Sequence, residues 1–158
     1  IDVNQRLLRA GKWVVYFIGD GSERAVLERE LQNAALGDIA KVLGAIPNRE
    51  IQKFYKVADL FLNLTLEEGF PRVLLEAMAS QLPCVNTNAG GTSDIVGPEQ
   101  MKFTFAAHDL HSINVGLQTL LTDEWARRDL AKENYQHAER FSTRRVASMY
   151  VREIFKND

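Results

Sequence analysis

The sequence predicts an α/β fold: a Rossmann-like parallel sheet with helices on both faces, followed by a helical C-terminal tail. Up to about residue 109, short apolar runs of strand length alternate with stretches of helical spacing, which is the pattern of consecutive βα units. Beyond that point the apolar residues recur at helical spacing alone. The chain has 158 residues, enough for a sizeable core, so we expect residues 1–158 to form a single domain.

Five apolar runs are the predicted strands. The first spans residues 13–18, reads WVVYFI and ends at Gly19, which is typical of a parallel strand buried on both faces. The other predicted strands are residues 40–44, 59–64, 83–87 and 102–105.

Helical spacing predicts six helices, at residues 22–36, 48–57, 71–80, 109–121, 123–140 and 142–156. Ser142 is the expected N-cap of the last one. The stripes of the last two helices are interpreted as packing faces, formed by Leu130, Asn134 and Ala138 and by Val146, Tyr150 and Ile154.

Composition and charge narrow the classes of function. A net charge of −2 and an isoelectric point near 6.0 give no electrostatic basis for nucleic-acid binding. No apolar run approaches the ~20 residues that span a bilayer. Cys84 is the single cysteine and cannot form an internal disulfide; a small buried thiol fits a reducing compartment. Because the chain begins at Ile1 and not at Met, we interpret it as a piece of a longer protein.

The start of the third predicted helix is the most informative point of the chain. Pro71 suits the first helical position and disfavours helical angles at Phe70, so we expect the helix to begin at this pair. Gly69 allows close backbone approach just ahead of it. Three amides then lack intrahelical acceptors, those of Arg72, Val73 and Leu74. A helix end of this kind favours an anion such as a diphosphate.

Two acids flank this helix end. Glu68 precedes it, and Glu76 lies a little over one turn inside the helix, from where its side chain can lean back toward the N-terminus. Both acids would repel a phosphate, so we expect them to accept hydrogen bonds from sugar hydroxyls. The alternative is structural: Glu68 would merely complement the helix dipole, and Glu76 would be a solvated residue beside an apolar stripe.

Further candidates lie where other predicted strands end, because parallel α/β sheets bind ligands at the carboxyl ends of their strands. Gly19 and Gly21 follow the first strand, Ile46 lies in the turn after the second, and Gly90 and Gly91 form a loop after the fourth. We expect these residues to line one nucleotide site together with the helix end. The alternative for each is a plain connection between a strand and a helix.

Two other kinds of site have little support. The glycine turn after the first strand begins like a dinucleotide-binding pattern, but Arg24 stands where the third glycine belongs, which argues against an NAD oxidoreductase. His108 and His111 are three residues apart, and their segment lacks other convincing ligands, so we expect no metal site there.

Residues 67–96 read EEGFPRVLLEAMASQLPCVNTNAGGTSDIV, and they resemble the signature of retaining GT-B glycosyltransferases of family 4. That signature runs roughly E-G-F-(G/P)-x-(V/P)-x-L-E-A-M-A-x-G-x-P-V-(V/I), followed by G-G-x-x-E. The matching positions are Glu68, Gly69, Phe70, Glu76, Ala77, Met78, Ala79, Pro83, Gly90 and Gly91. Residues 18–24 (IGDGSER) and 43–65 (LGAIPNREIQKFYKVADLFLNLT) also resemble family segments, so the likeness covers nearly the whole chain in order.

The resemblance implies the C-terminal, donor-binding half of a GT-B fold, in an enzyme that transfers sugar from a UDP- or GDP-linked donor with retention and without a cofactor. Glu68 would be the catalytic carboxylate, which holds the sugar hydroxyls and stabilises positive charge at the anomeric carbon. Glu76 would bind the ribose hydroxyls. The backbone of residues 69–74 would hold the diphosphate, and Ile46 would flank the base.

The resemblance also implies a second domain. A glycan or lipid-linked acceptor would bind the N-terminal domain, which this chain lacks, so we expect the chain alone to be inactive. The full-length protein would work in the cytoplasm, or at the inner face of the membrane as a peripheral protein.

Three departures from the family pattern are present. The first strand of the domain, with an Arg and a Lys that pair with the diphosphate, is missing. Asp94 stands where the family commonly has Glu. Arg72 stands where Asn or a small or apolar residue is usual, and it would either face solvent or place a positive charge near the phosphates. Two other classes of function stay open, a GT-B nucleotide-sugar epimerase and a non-catalytic nucleotide-binding module.

Overall fold

The computed structural model describes residues 5–11, 13–145 and 148. Contacts divide the chain after Val57 into two compact units, and each is described by itself. In both units the paired strands are parallel and joined through helices, which confirms the predicted fold class. The assignment of residues 1–158 to a single domain stays a prediction.

The N-terminal unit contains two strands and three helices. In chain order they are α1 (Gln5–Ala10), β1 (Val15–Ile18), α2 (Arg24–Asn33), β2 (Ala40–Gly44) and α3 (Asn48–Val57). β1 pairs with β2 in parallel, with a register shift next to its last residue. The core of this unit is formed by buried Leu31, Leu36 and Ala40 together with partly buried apolar side chains of both strands.

The burial predicted for the first strand is wrong in part. Val15 and Phe17 pack against the core of the N-terminal unit. The alternate positions Val14 and Tyr16 keep about half of their surface exposed, at 48% and 50%. Tyr16 makes an edge-on ring contact with Phe54 of α3, but that contact covers only part of the second face. An apolar run predicts a strand here, whereas burial also needs neighbours on both faces of the sheet.

The C-terminal unit contains a three-stranded parallel sheet in the order β3-β4-β5. Its elements are β3 (Phe61–Asn63), α4 (Arg72–Ala79), β4 (Cys84–Thr87), α5 (Thr92–Ile95), α6 (Pro98–Met101), β5 (Thr104–Phe105), α7 (Leu110–Thr122), α8 (Glu124–Ala138) and a 3-10 turn (Glu139–Phe141). The central strand β4 is buried at all four residues. One of them, Val85, packs with Ile113, Leu120 and Leu130 from α7 and α8.

A buried polar network joins four elements of the C-terminal unit. The side-chain amide of Asn134 on α8 donates to the carbonyl of Leu82 at 2.8 Å and to the side-chain oxygen of Gln100 on α6 at 2.7 Å. Gln100 in turn donates to the side-chain oxygen of Asn86 on β4, and Asn86 donates to Thr104 on β5. Each of these groups would be costly to bury alone, so the network fixes how the helices register on the sheet.

Most predicted elements are confirmed, with boundaries shifted by a few residues. The helix at 48–57 has the predicted bounds, whereas α2 is shorter than predicted at both ends. The short helices α5 and α6 are absent from the predictions. The predicted stripe of α8 is confirmed because its three residues are buried. Residues 143–145 and 148 are helical; the rest of the predicted helix 142–156, with Val146, Tyr150 and Ile154, lies outside the described residues.

Candidate functional site

The turn from β3 to α4 carries the first of the two acids. Glu68 is half-buried, Gly69 and Phe70 are exposed, and Pro71 is buried. Hydrogen bonds hold the segment before the acid: the hydroxyl of Thr87 on β4 donates to the carbonyl of Thr65 at 2.5 Å, and the hydroxyl of Thr65 donates to the carbonyl of residue 67 at 2.7 Å. The position of Glu68 is therefore fixed from the sheet below it.

The N-terminus of α4 differs in detail from its prediction. The helix begins at Arg72, and Pro71 occupies the N-cap position with φ −77° and ψ 73°. The amide of Arg72 donates to the carbonyl of Phe70 at 2.8 Å, and the amide of Leu74 donates to that of Pro71 at 3.1 Å. The prediction that these two amides lack acceptors is wrong, because the conformation of Pro71 curls the two preceding carbonyls toward the helix.

The surface of this helix end is nevertheless accessible. Arg72 and Val73 are exposed, while Leu74 is wholly buried. A positive side chain at the first helical residue is unfavourable beside the positive end of the helix dipole, unless an anion balances both. The helix end thus combines a partial positive charge with the guanidinium of Arg72.

The second acid, Glu76, lies on the exposed side of α4. It lines a groove of ≈ 390 Å³ together with residues of α4 and of the chain after α8, which are Leu75, Ala79, Tyr135, Ala138, Glu139, Phe141, Ser142 and Thr143. Its neighbours Ala77 and Met78 are wholly buried and anchor the helix. Glu76 is therefore an accessible carboxylate on a fixed helix.

The loop that contains Gly90 and Gly91 packs directly on the turn that carries Glu68. The amide of Gly91 donates to the carbonyl of Gly69 at 3.0 Å. Gly90 has a φ of +53°, and a Cβ atom placed on it would lie 1.6 Å from the carbonyl oxygen of Glu68. The structure thus brings together the ends of β3 and β4, as the position of both loops after parallel strands predicts. Asp94 is exposed on the short helix that follows.

The other predicted residues lie in the N-terminal unit. Gly19 donates its amide to the carbonyl of Gly44, and the carboxylate of Asp20 accepts from the amide of Gly21 at 2.9 Å and from Arg24 at 3.2 Å. Hydrogen bonding to Glu28 and the charge of Asp20 raise the pKa of Arg24. This arrangement explains the arginine at the place of a third glycine: its guanidinium pairs with two acids and lies over Gly44.

Ile46 is half-buried in the turn after β2. No distance within the N-terminal unit links it to a ligand-binding role, and its contact with a base stays a prediction.

No group of three potential metal ligands occurs among the described residues. His108 and His111 are exposed at the start of α7. Cys84 is buried and unoxidised, as predicted, and burial raises the pKa of its thiol. Across the same part of the chain, no helix is long and apolar enough to span a membrane.

Two residues that hold the site are absent from the sequence predictions. Thr65 and Thr87 carry the hydrogen bonds that support the backbone before Glu68. Threonine at a strand end is common for reasons of strand propensity alone, so no signal in one sequence marks these two hydroxyls.

Comparison with known proteins adds family information to this geometry. A family model described as "Glycosyl transferases group 1" matches residues 1–137. Sulfoquinovosyl transferase SQD2 from Arabidopsis thaliana is 31% identical over 133 residues, which cover 82% of this chain and 25% of that protein. The chain spans 20%, 25% and 35% of the length of three curated relatives that it matches.

Two solved structures share the fold. TarM from S. aureus, in complex with UDP, superposes with a TM-score of 0.79 at 17% identity and covers 95% of this chain and 31% of that one. The C-terminal domain of the group 1 glycosyl transferase LpcC from Francisella tularensis gives a TM-score of 0.68 at 20% identity. The alignment covers 86% of this chain and 91% of that domain. These matches confirm the expected Rossmann-like half of a GT-B fold.

Proposed function

Because the chain belongs to the glycosyl transferases group 1 family, we propose that it is the donor-binding domain of an enzyme that transfers sugar from a nucleotide-diphosphate sugar. The acceptor would be a glycan or a lipid-linked sugar, and the anomeric configuration would be retained. The observation that carries this proposal is the junction of two loops at the ends of β3 and β4, where Glu68 stands beside the N-terminus of α4.

The diphosphate is proposed to bind at the N-terminus of α4. The exposed guanidinium of Arg72 and the helix dipole would both favour the charge that the diphosphate gains as it leaves the sugar. The ion pairs formed among described residues do not include Arg72, so this cation is available for an anionic ligand. Gly69, Phe70 and the backbone of Val73 would complete the contact. Leu74 would contribute as a buried anchor, since its amide already has an acceptor.

The two acids would divide the rest of the donor between them. Glu68 would accept hydrogen bonds from hydroxyls of the transferred sugar, and its charge would stabilise positive charge at the anomeric carbon in the transition state. Glu76, an accessible carboxylate beside a groove, would accept hydrogen bonds from the ribose hydroxyls. Gly90 and Gly91 would line the sugar site. Gly19, Gly21 and Ile46 are proposed to contribute from the N-terminal unit, with Ile46 beside the base.

The substrate is proposed to be UDP- or GDP-linked, with no separate cofactor. The crystal of TarM contains UDP, which favours this class of donor for a chain of the same fold. The acceptor would bind a further part of a longer protein, so this chain alone would not transfer sugar. A cytoplasmic location fits the buried free thiol of Cys84, and a lipid-linked acceptor would bring the protein to the inner face of the membrane.

Titration of the ¹⁵N-labelled chain with UDP, GDP and ADP tests the donor site directly. We expect amide shifts to concentrate at residues 68–76 and at Gly90 and Gly91. Glu76→Gln should weaken the preferred nucleotide about tenfold, since a hydrogen bond to a charged group is lost. Glu133→Gln, an exposed acid on α8, is the control and should leave the affinity unchanged. Shifts that cluster away from α4 and its preceding turn would contradict the proposal.

The products of the full-length protein separate transfer from its alternatives. Transfer releases a free nucleoside diphosphate and a glycosylated acceptor. An epimerase would instead return an isomerised nucleotide sugar, and a binding module would return the donor unchanged.

A further inference from the structure

The backbone around Glu68 is held from both of its sides by residues that follow it in the sequence by about twenty positions. On the N-terminal side, the hydroxyl of Thr87 donates to the carbonyl of Thr65 at 2.5 Å. On the C-terminal side, the amide of Gly91 donates to the carbonyl of Gly69 at 3.0 Å. Both holding residues belong to one segment, the end of β4 and the loop after it, so that segment sets the position of Glu68.

Gly90 lies at the centre of this contact. Its φ of +53° is a conformation that residues with a Cβ atom adopt rarely. A Cβ atom there would lie 1.6 Å from the carbonyl oxygen of Glu68, 2.6 Å from its carbonyl carbon and 2.9 Å from the oxygen of Gly69. All three neighbours are backbone atoms and cannot turn aside as a flexible side chain would. A side chain at position 90 must therefore push the turn away by more than an ångström.

We propose that Gly90 is a positioning residue for Glu68: it lets the β4–α5 loop pack against the turn and hold the carboxylate at the transferred sugar. This inference rests on the proposed function, and it refines the role of the glycine loop. Gly90 would affect the chemistry through Glu68, whereas the affinity for the nucleoside diphosphate would depend on α4. Displacing a catalytic group by about 1 Å can cost on the order of 100-fold in rate.

The test is a double-mutant cycle in the full-length transferase, with the variants Gly90→Ala and Glu68→Gln. We expect Gly90→Ala to lower kcat at least about tenfold while the affinity for UDP, measured by calorimetry, changes by less than about twofold. If Gly90 acts through Glu68, the double variant should have the same kcat as Glu68→Gln alone. Gly37→Ala is the control, because a Cβ atom there meets no atom within 4 Å, and it should keep the parental kcat.

Each outcome separates the positioning role from the proposed function. Equal fold-losses for Gly90→Ala in the parental and Glu68→Gln proteins would overturn the positioning role while leaving Glu68 catalytic. A parental kcat for Gly90→Ala, or a loss of UDP affinity as large as the loss of kcat, would also overturn it. An unchanged kcat for Glu68→Gln would refute the proposed function itself, and with it the role of Gly90.

Thr87→Val serves if Gly90→Ala does not fold, because it keeps the side-chain volume and removes only the hydroxyl that holds Thr65. The expected pattern is the same with a smaller loss of kcat, and the loss should again vanish on the Glu68→Gln background. Thr122→Val, which removes an exposed hydroxyl on α7, is the control. A kcat loss for Thr87→Val that persists in the Glu68→Gln protein would contradict the inference.

Discussion

The strands β1 and β4 are both parallel strands rich in apolar residues, yet they differ in burial. All four residues of β4 are buried, whereas in and beside β1 the alternate residues Val14 and Tyr16 remain half-exposed. β4 has a paired strand on each side and helices packed on the sheet, while β1 pairs with β2 in a two-stranded sheet. The difference teaches that an apolar run specifies a strand, and that its neighbours decide whether the strand becomes the centre of a core.

The largest expected effect on stability comes from truncating the same residue type in the two units. Leu120→Ala removes a wholly buried side chain that packs with Val85 and should lower the free energy of unfolding by about 3 kcal/mol. Leu43→Ala, in the two-stranded sheet, removes a side chain that is 37% exposed and should cost about 1 kcal/mol. Urea denaturation measures both. Equal losses would show that the two sheets contribute alike.

The polar network of the C-terminal unit should give the next largest effect. Asn134→Leu leaves the carbonyl of Leu82 without its side-chain donor and removes a donor from Gln100, so we expect a loss of about 2 kcal/mol. Gln136→Leu, on the exposed side of the same helix, is the control and should cost less than about 0.5 kcal/mol. A loss for Asn134→Leu no larger than that of the control would mean that the network is dispensable.

The smallest effect concerns pH. The amide of Ser112 donates to the carboxylate of Asp109 at the N-terminus of α7, and this hydrogen bond lowers the pKa of Asp109 below its ordinary value of 3.8. The charged cap therefore stabilises the folded state above about pH 4, and its contribution is lost as the pH falls through the folded-state pKa.

Asp109→Asn tests this contribution, since asparagine keeps an N-cap acceptor without the titrating charge. Thermal unfolding should show a lower melting temperature than the parent at neutral pH and a smaller difference at pH 2–3. In the N-terminal unit, hydrogen bonding to Arg9 lowers the pKa of Asp38 in the same direction. A gap between Asp109→Asn and the parent that does not change with pH would rule out the titration of this cap.

The sequence was sufficient for the fold and for much of the candidate site. Period and punctuation predict every strand and the long helices, because apolar spacing reports which face of an element is buried. The adjacency of the turn at residues 68–71 and the loop at residues 88–92 also followed from the sequence, because the ends of parallel strands meet at one edge of a sheet.

Other features depend on contacts that no single sequence encodes. The short helices α5 and α6 have too few residues for a periodic signal. The acceptors for the amides of Arg72 and Leu74 arise from the particular ψ of Pro71, which a proline does not fix. The hydroxyls of Thr65 and Thr87 and the close approach of Gly90 to Glu68 are long-range contacts, visible only once the chain is folded.

The most direct test of the central claim compares two neighbouring acids in the full-length protein. Glu68→Gln should lower kcat for sugar transfer on the order of 100-fold or more, because a charge that stabilises the transition state is removed, while UDP affinity stays close to that of the parent. Glu67→Gln changes an exposed acid one residue earlier and should keep the parental kcat. A parental kcat for Glu68→Gln, or equal losses for both variants, would contradict the account.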